Sequence, residues 1–245
     1  LDRPDAANSL NKKMSEELLE VATHCDSDSN VRAVVLTGNG RMFSAGGDLH
    51  SFAAEGEGMS EYMRYTTAGL HMAISRFARM NAPYLVAVNG MAAGAGFSMA
   101  ITGDMVFAAK SAKFTEAYTK IGVSPDGSST WFLPRLVGHV KAMQLIMMND
   151  VLTADEAKSW GLVNEVVDDE SLMDKVMEVA TKLSKGPTLA FGEAKRLVAD
   201  TYSNTLETQM ELETRAICGL ARSSKDTKSA IQAFTQKKSP TFKGV

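Results

Sequence analysis

Cysteine is scarce in this chain of 245 residues: Cys25 and Cys218 stand far apart, and neither has the spacing of a metal ligand. Four scattered histidines add nothing to that, so no zinc site is legible. Two isolated cysteines are the pattern of reduced, buried thiols in a cytoplasmic protein. Positive charge is not in excess either, with a net charge of -3. That argues against a general nucleic-acid binder, which needs a basic surface, but leaves room for a local basic pocket. No apolar run reaches the roughly 20 residues of a membrane span, and no signal peptide is visible. The chain begins at Leu1, not Met, in what reads as the end of a strand, so a preceding targeting segment stays open. The pattern G-x-x-x-x-G-K-[ST] is absent, which excludes a nucleotide P-loop.

What is present is a length suited to one large domain with a small appendage and a 44% hydrophobic content that can fill a core. Asn8 or Ser9 can cap a helix whose face runs through Leu10, Met14, Leu18 and Val21. Val31 to Thr37, Tyr84 to Val88 and Met105 to Ala108 read as strands, and Phe97 to Ile101 as helix. Ala53 to Ser60, polar and glycine-containing, reads as a mobile loop; Met59, Met63 and Tyr65 fall in or beside it. A helix marked by Leu70, Ile74 and Phe77 must stop near Pro83. Thr153 and Glu156 form a capping-box pattern for a helix ending at Gly161, and Leu172, Val176, Val179 and Leu183 mark the next helical face. The alternation of strand, turn, helix and strand gives an α/β fold. Gly186-Pro187 breaks the pattern. Residues 1–186 are therefore read as the core, and 187–245 as a helical segment whose stripe through Leu206, Met210 and Ile217 packs on its own core or on a neighbouring subunit.

Two glycine turns carry the chemical signal. F-S-A-G-G-D-L, residues 43–49, follows the first strand. N-G-M-A-A-G-A-G, residues 89–96, follows the second and leads into a helix start. Its glycines lack the G-x-G-x-x-G spacing of a dinucleotide site. Bare backbone at such turns serves a tight bend or lets a ligand approach the main chain, and free N–H groups at a helix start attract an anion.

These segments, in order with L-D-R-P-D-A-A-N-S-L, A-K-F-T-E-A-Y-T-K-I-G-V-S-P-D-G, L-P-R-L-V-G and A-F-T-Q-K-K-S-P-T-F-K-G, resemble the enoyl-CoA hydratase/isomerase (crotonase) superfamily over essentially the whole chain. The resemblance implies a spiral of repeated strand-strand-helix units with a helical C-terminal region, homotrimers or dimers of trimers, and acyl-CoA thioester substrates. It implies no cofactor beyond the coenzyme A that the substrate carries, no metal, and no nucleic-acid or membrane partner. It places two backbone oxyanion donors at Gly47 and Ala95, the second position being more usually glycine in that family. It places the two glutamates that hold water in hydratases at Ser98 and Tyr118, where both carboxylates are missing. Neither serine nor tyrosine is a good base near neutral pH, so hydration is disfavoured.

Asp126, in S-P-D-G, resembles the single acid of several isomerases, above all the ring-opening 1,2-epoxyphenylacetyl-CoA isomerase type. One carboxylate opposite an oxyanion hole suits a 1,3-proton shift. P-D-G is also a strong turn tripeptide. Asp126 equally matches the nucleophile of 4-chlorobenzoyl-CoA dehalogenases. There His71 matches the histidine that activates water, and Tyr118 matches the side chain that holds the acid. His71 also reads as an ordinary helix residue beside Leu70 and Ile74. The alternatives are therefore an enoyl-CoA hydratase, an aryl-CoA dehalogenase or hydrolase using Asp126 and His71, and a non-catalytic CoA-binding protein. The resemblance further implies coenzyme A contacts at Ala45, Asp48, Lys237 and Lys238. Asp48 also reads as the end of a turn, and the lysines as a solvated helix face. Trp131 and Phe132 read as packing beneath the Asp126 turn.

Overall fold

The computed structural model describes residues 1–245. Its strands, in chain order, are β1 (Val34–Thr37), β2 (Met42–Ser44), β3 (Tyr84–Val88), β4 (Met91–Ala93), β5 (Met105–Ala109), β6 (Lys113–Thr115), β7 (Leu152–Thr153) and β8 (Glu165–Val167). They form two four-stranded sheets, ordered β1-β3-β5-β8 and β2-β4-β6-β7. The first sheet is parallel throughout; in the second only the β6–β7 pair is antiparallel. From β1 to β6 the strands fall alternately in the two sheets, with a helix after each pair, the strand-strand-helix spiral that the resemblance implies. Residues of β3 are buried along its whole length, as a parallel strand covered on both faces requires.

The helices are α1 (Lys12–Ser27), α2 (Leu49–Ala54), α3 (Met59–Arg79), α4 (Ala95–Ala100), α5 (Ser129–Met148, broken at Gly138), α6 (Ala154–Ser159), α7 (Leu172–Ser184), α8 (Thr188–Asp200), α9 (Leu206–Ser223) and α10 (Lys225–Thr235). The buried apolar cluster draws on residues from Leu10 to Ala180 and on none beyond. Helix α9 buries no residue, and Leu206, Met210 and Ile217 stand out into solvent. No helix is long and apolar enough to cross a membrane.

Several expectations are corrected. Asn11, not Asn8 or Ser9, caps α1 by accepting from the Met14 amide. Asn8 is spent on the tertiary structure instead: it is buried at φ +52°, and its side-chain amide donates to the Asn39 and Met42 carbonyls. Ala22 rather than Val21 completes the buried face of α1. The stretch 53–60 is not a loop but the end of α2, a 3₁₀ turn and the start of α3, which carries Met59, Met63 and Tyr65. The first strand begins only at Val34, and Leu1 lies beside its end without joining a strand. Cys25 is half-buried and Cys218 exposed, so the thiols are not core residues. The capping box at Thr153 and Glu156 is present as read.

Candidate active site

The two glycine turns touch. Gly46 sits at φ +91°, and a Cβ placed on it would lie 2.7 Å from the Ala93 carbonyl and 3.1 Å from the Ala95 nitrogen. Only glycine permits both that backbone angle and that approach. The neighbouring amides are spent locally: Gly46 N–H donates to Ser44 Oγ and Asp48 N–H to the Leu10 carbonyl. Between them, the Gly47 N–H meets no protein acceptor. On the other turn the Gly94 N–H donates to the Thr115 carbonyl, whereas Ala95 opens α4 and its N–H is likewise unclaimed. Two unpaired donors therefore sit on adjoining turns.

Helix α4 ties this pair to the acid. One turn after Ala95, Ser98 Oγ donates to the Asp126 carbonyl at 2.9 Å and lies 2.7 Å from the Tyr118 phenol oxygen. The phenol in turn donates to Asp126 Oδ1 at 2.7 Å. Burial, and after it the negative charge of Asp126, hold the Tyr118 phenol far above its usual range, so it remains a donor. Ser98 and Tyr118 are thus joined to each other, and both hold Asp126.

On the far side of the acid, His71 Nε2 lies 3.8 Å from Asp126 Oδ2 and accepts the Gly127 N–H at 3.1 Å. That bond occupies the Nε2 lone pair. Asp126, Gly127 and His71 lie on the wall of a cavity of about 1010 Å³ between the core and α8. Trp131 and Phe132 also line it, half-buried, and Phe132 packs against the core as well. Gly47, Ala95, Ser98 and Tyr118 do not line that cavity, and Asp126 both lines it and contacts Ser98 and Tyr118.

The remaining candidates lie apart. Asp48 caps α2 by accepting from the Ser51 N–H and pairs with Arg3 at 3.0 Å. Burial opposes its charge, but these two partners outweigh it and keep its pKa below the usual carboxylate value. Ala45 is exposed beside the Gly46–Gly47 turn. Lys237 and Lys238 are exposed just past the end of α10 and off the cavity wall. Sequence reading missed Glu116, which is fully buried behind Tyr118 and reaches Ser129 at 3.4 Å.

The sequence profile described as "Enoyl-CoA hydratase/isomerase" matches residues 1–245. A 1,2-epoxyphenylacetyl-CoA isomerase of Escherichia coli (strain K12) is 39% identical over 245 residues, 100% of this chain and 93% of the relative. A 4-chlorobenzoyl coenzyme A dehalogenase of an Arthrobacter species is 35% identical over 216 residues, 88% of this chain and 78% of the relative. Among solved structures, an enoyl-CoA hydratase from Bacillus anthracis superposes with a TM-score of 0.92 at 32% identity, covering 100% of this chain and 94% of the other. With its two-sheet spiral, its paired glycine turns and a match along its full length, the chain belongs to the enoyl-CoA hydratase/isomerase family.

Proposed function

We propose that the protein is an acyl-CoA isomerase in which the Gly47 and Ala95 amides hold a thioester enolate and Asp126 carries the proton. Asp126 takes a proton from the α or γ carbon, and the freed electron pair moves onto the thioester oxygen. Two fixed N–H donors aimed at that oxygen stabilise it, each by about 3 kcal/mol. Returning the proton to the other carbon completes a 1,3-shift, with nothing gained or lost overall. The observation that carries this reading is the 2.7 Å bond from Tyr118 to Asp126 Oδ1. It holds one carboxylate in place while the partner positions present hydroxyls, so there is no pair of carboxylates to grip and activate water. Replacing Asp126 by asparagine tests it: turnover is expected to vanish while acyl-CoA binding stays within a few-fold, and unchanged turnover would sink the assignment.

A second reading, nucleophilic attack by Asp126 on an aryl-CoA, is favoured by the 3.8 Å approach of His71 to Asp126 Oδ2 and by the dehalogenase relative. Against it, the Nε2 lone pair that would activate water is engaged by Gly127.

In this reading the exposed backbone at Ala45 forms the rim that meets coenzyme A, and Lys237 and Lys238 supply positive charge for its phosphates. Asp48 contributes through the backbone turn it caps. The segment 187–245 is the assembling part. Copies of the chain, as a trimer or a dimer of trimers, cover the apolar α9 face, where Leu206 and Ile217 are about 70% and 68% exposed.

A further inference from the structure

Glu116 is an ionisable side chain beside Asp126 that the proton shift leaves unused. It follows β6 and is fully buried. Its Oε2 accepts from the Ser129 hydroxyl at 3.4 Å, and its Oε1 has no partner. An ionised carboxylate so placed is costly, because one oxygen has lost water and gained nothing. A neutral carboxyl is tolerated far better. Burial first, and then the charge of Asp126, raise the Glu116 pKa to about 7 against the opposing pull of Ser129.

Its position matters as much as its environment. Ala117 and Ser128 both adopt left-handed backbone, at φ +55° and +69°, without being glycine. Glu116 and Tyr118 flank the first corner; Gly127 and Ser129 flank the second. Two side-chain contacts join the corners, Tyr118 to Asp126 and Glu116 to Ser129. Strained corners persist where surrounding contacts hold them. Ser129 also opens α5, so the Glu116 contact falls at the start of that helix, three residues after the acid.

We propose that Glu116 is a positioning residue for Asp126: its neutral carboxyl pins the 126–129 corner through Ser129 and leaves Asp126 as the lone negative charge, and its ionised form switches the site off. The proposal rests on the reading of Asp126 as the proton carrier. The groups facing Glu116 are few. Tyr118, on its own segment, stays protonated. Asp126, on the turn before α5, is the charge it senses. His71, from α3, reaches Asp126 Oδ2 on the other side. Helix α4 presents only the hydroxyl of Ser98. Loss of the Glu116 proton therefore adds a second negative charge beside the acid, with no cation to offset it, where an enolate must form.

The test compares the parent with Glu116→Gln and Glu116→Ala across pH. The parent kcat is expected to fall about tenfold per pH unit above pH 7, following the protonated fraction. In Glu116→Gln, neutral at every pH, that alkaline fall disappears and KM is unchanged. Glu116→Ala loses kcat at every pH because the Ser129 contact is gone. A parent profile identical to that of Glu116→Gln, or full kcat in Glu116→Ala, overturns the proposal. Difference infrared spectroscopy supplies a readout that needs no substrate. A carboxyl band missing from Glu116→Gln should titrate near pH 7 in the parent and at lower pH in Asp126→Asn. Absence of that band, or indifference to Asp126→Asn, overturns the coupling even if turnover behaves as expected. A coupled band with no turnover of any acyl-CoA would instead place the failure in the isomerase reading.

Discussion

The Tyr118 phenol donates to Asp126 Oδ1 at 2.7 Å and lies at the same distance from Ser98 Oγ. A hydrogen bond to an ionised carboxylate is worth about 1.5–3 kcal/mol. Tyr118→Phe removes it without changing volume much. The expected result is a kcat lower by about tenfold or more, with KM for the acyl-CoA little altered. Steady-state kinetics decide this; an unchanged kcat would mean that Asp126 needs no holder.

His71 gives the contrast. Its Nε2 serves the Gly127 amide at 3.1 Å, and that amide follows the acid directly. Loss of one such bond costs about 1 kcal/mol. In His71→Ala an isomerase should therefore keep its rate to within roughly tenfold. A collapse of several orders of magnitude in a folded variant would favour the nucleophilic reading, in which the ring activates water.

Gly46→Ala probes the amide pair without replacing either donor residue, its Cβ crowding the Ala95 nitrogen at 3.1 Å. The new Cβ would meet the Ala93 carbonyl at 2.7 Å, at a φ of +91°. Strain and overpacking each cost about 1–3 kcal/mol. The turns should separate, lowering the melting temperature and reducing kcat by about a hundredfold, the scale of one lost oxyanion donor. A variant that is destabilised but fully active would detach the Gly47 and Ala95 amides from the chemistry.

Glu116 makes stability depend on pH. Its folded pKa, about 7, exceeds its unfolded value of 4.5. Below pH 4.5 both states hold the proton and nothing is lost. As pH rises from 4.5 to 7 the unfolded chain releases the proton first, so stability falls across that window and is level above it. The full loss is about 3 kcal/mol at most. Chemical denaturation should show Glu116→Gln gaining on the parent at pH 8 and not at pH 4. Equal differences at the two pH values would contradict a neutral buried acid.

Much of the architecture was legible because it rests on local patterns. Y-L-V-A-V is a covered strand, and β3 spans the same five residues, Tyr84–Val88. The glycine turns, which follow β2 and β4, were found because bare backbone there is conspicuous. The three-residue strands β2, β4 and β6 were not read as strands, being too short to show a period. The helical content of 53–60 was hidden by glycines and charges, which here occupy exposed 3₁₀ and helix-start positions. At the site, Asp126 was singled out by its resemblance to the isomerase acid, but its partnership with Tyr118 spans eight residues and follows no helical or strand spacing. Glu116 was illegible for a related reason. It is buried by the tertiary structure, and its side-chain partner Ser129 lies thirteen positions later.

The most direct measurement incubates the purified protein and its Asp126→Asn variant with 3-enoyl-CoA and aryl-CoA thioesters in heavy water, followed by mass spectrometry. The account predicts migration of the double bond by the parent, with deuterium entering at the α or γ carbon where the carried proton exchanges, and neither in Asp126→Asn. A product heavier by the elements of water, loss of halide, or migration that persists in Asp126→Asn would contradict it.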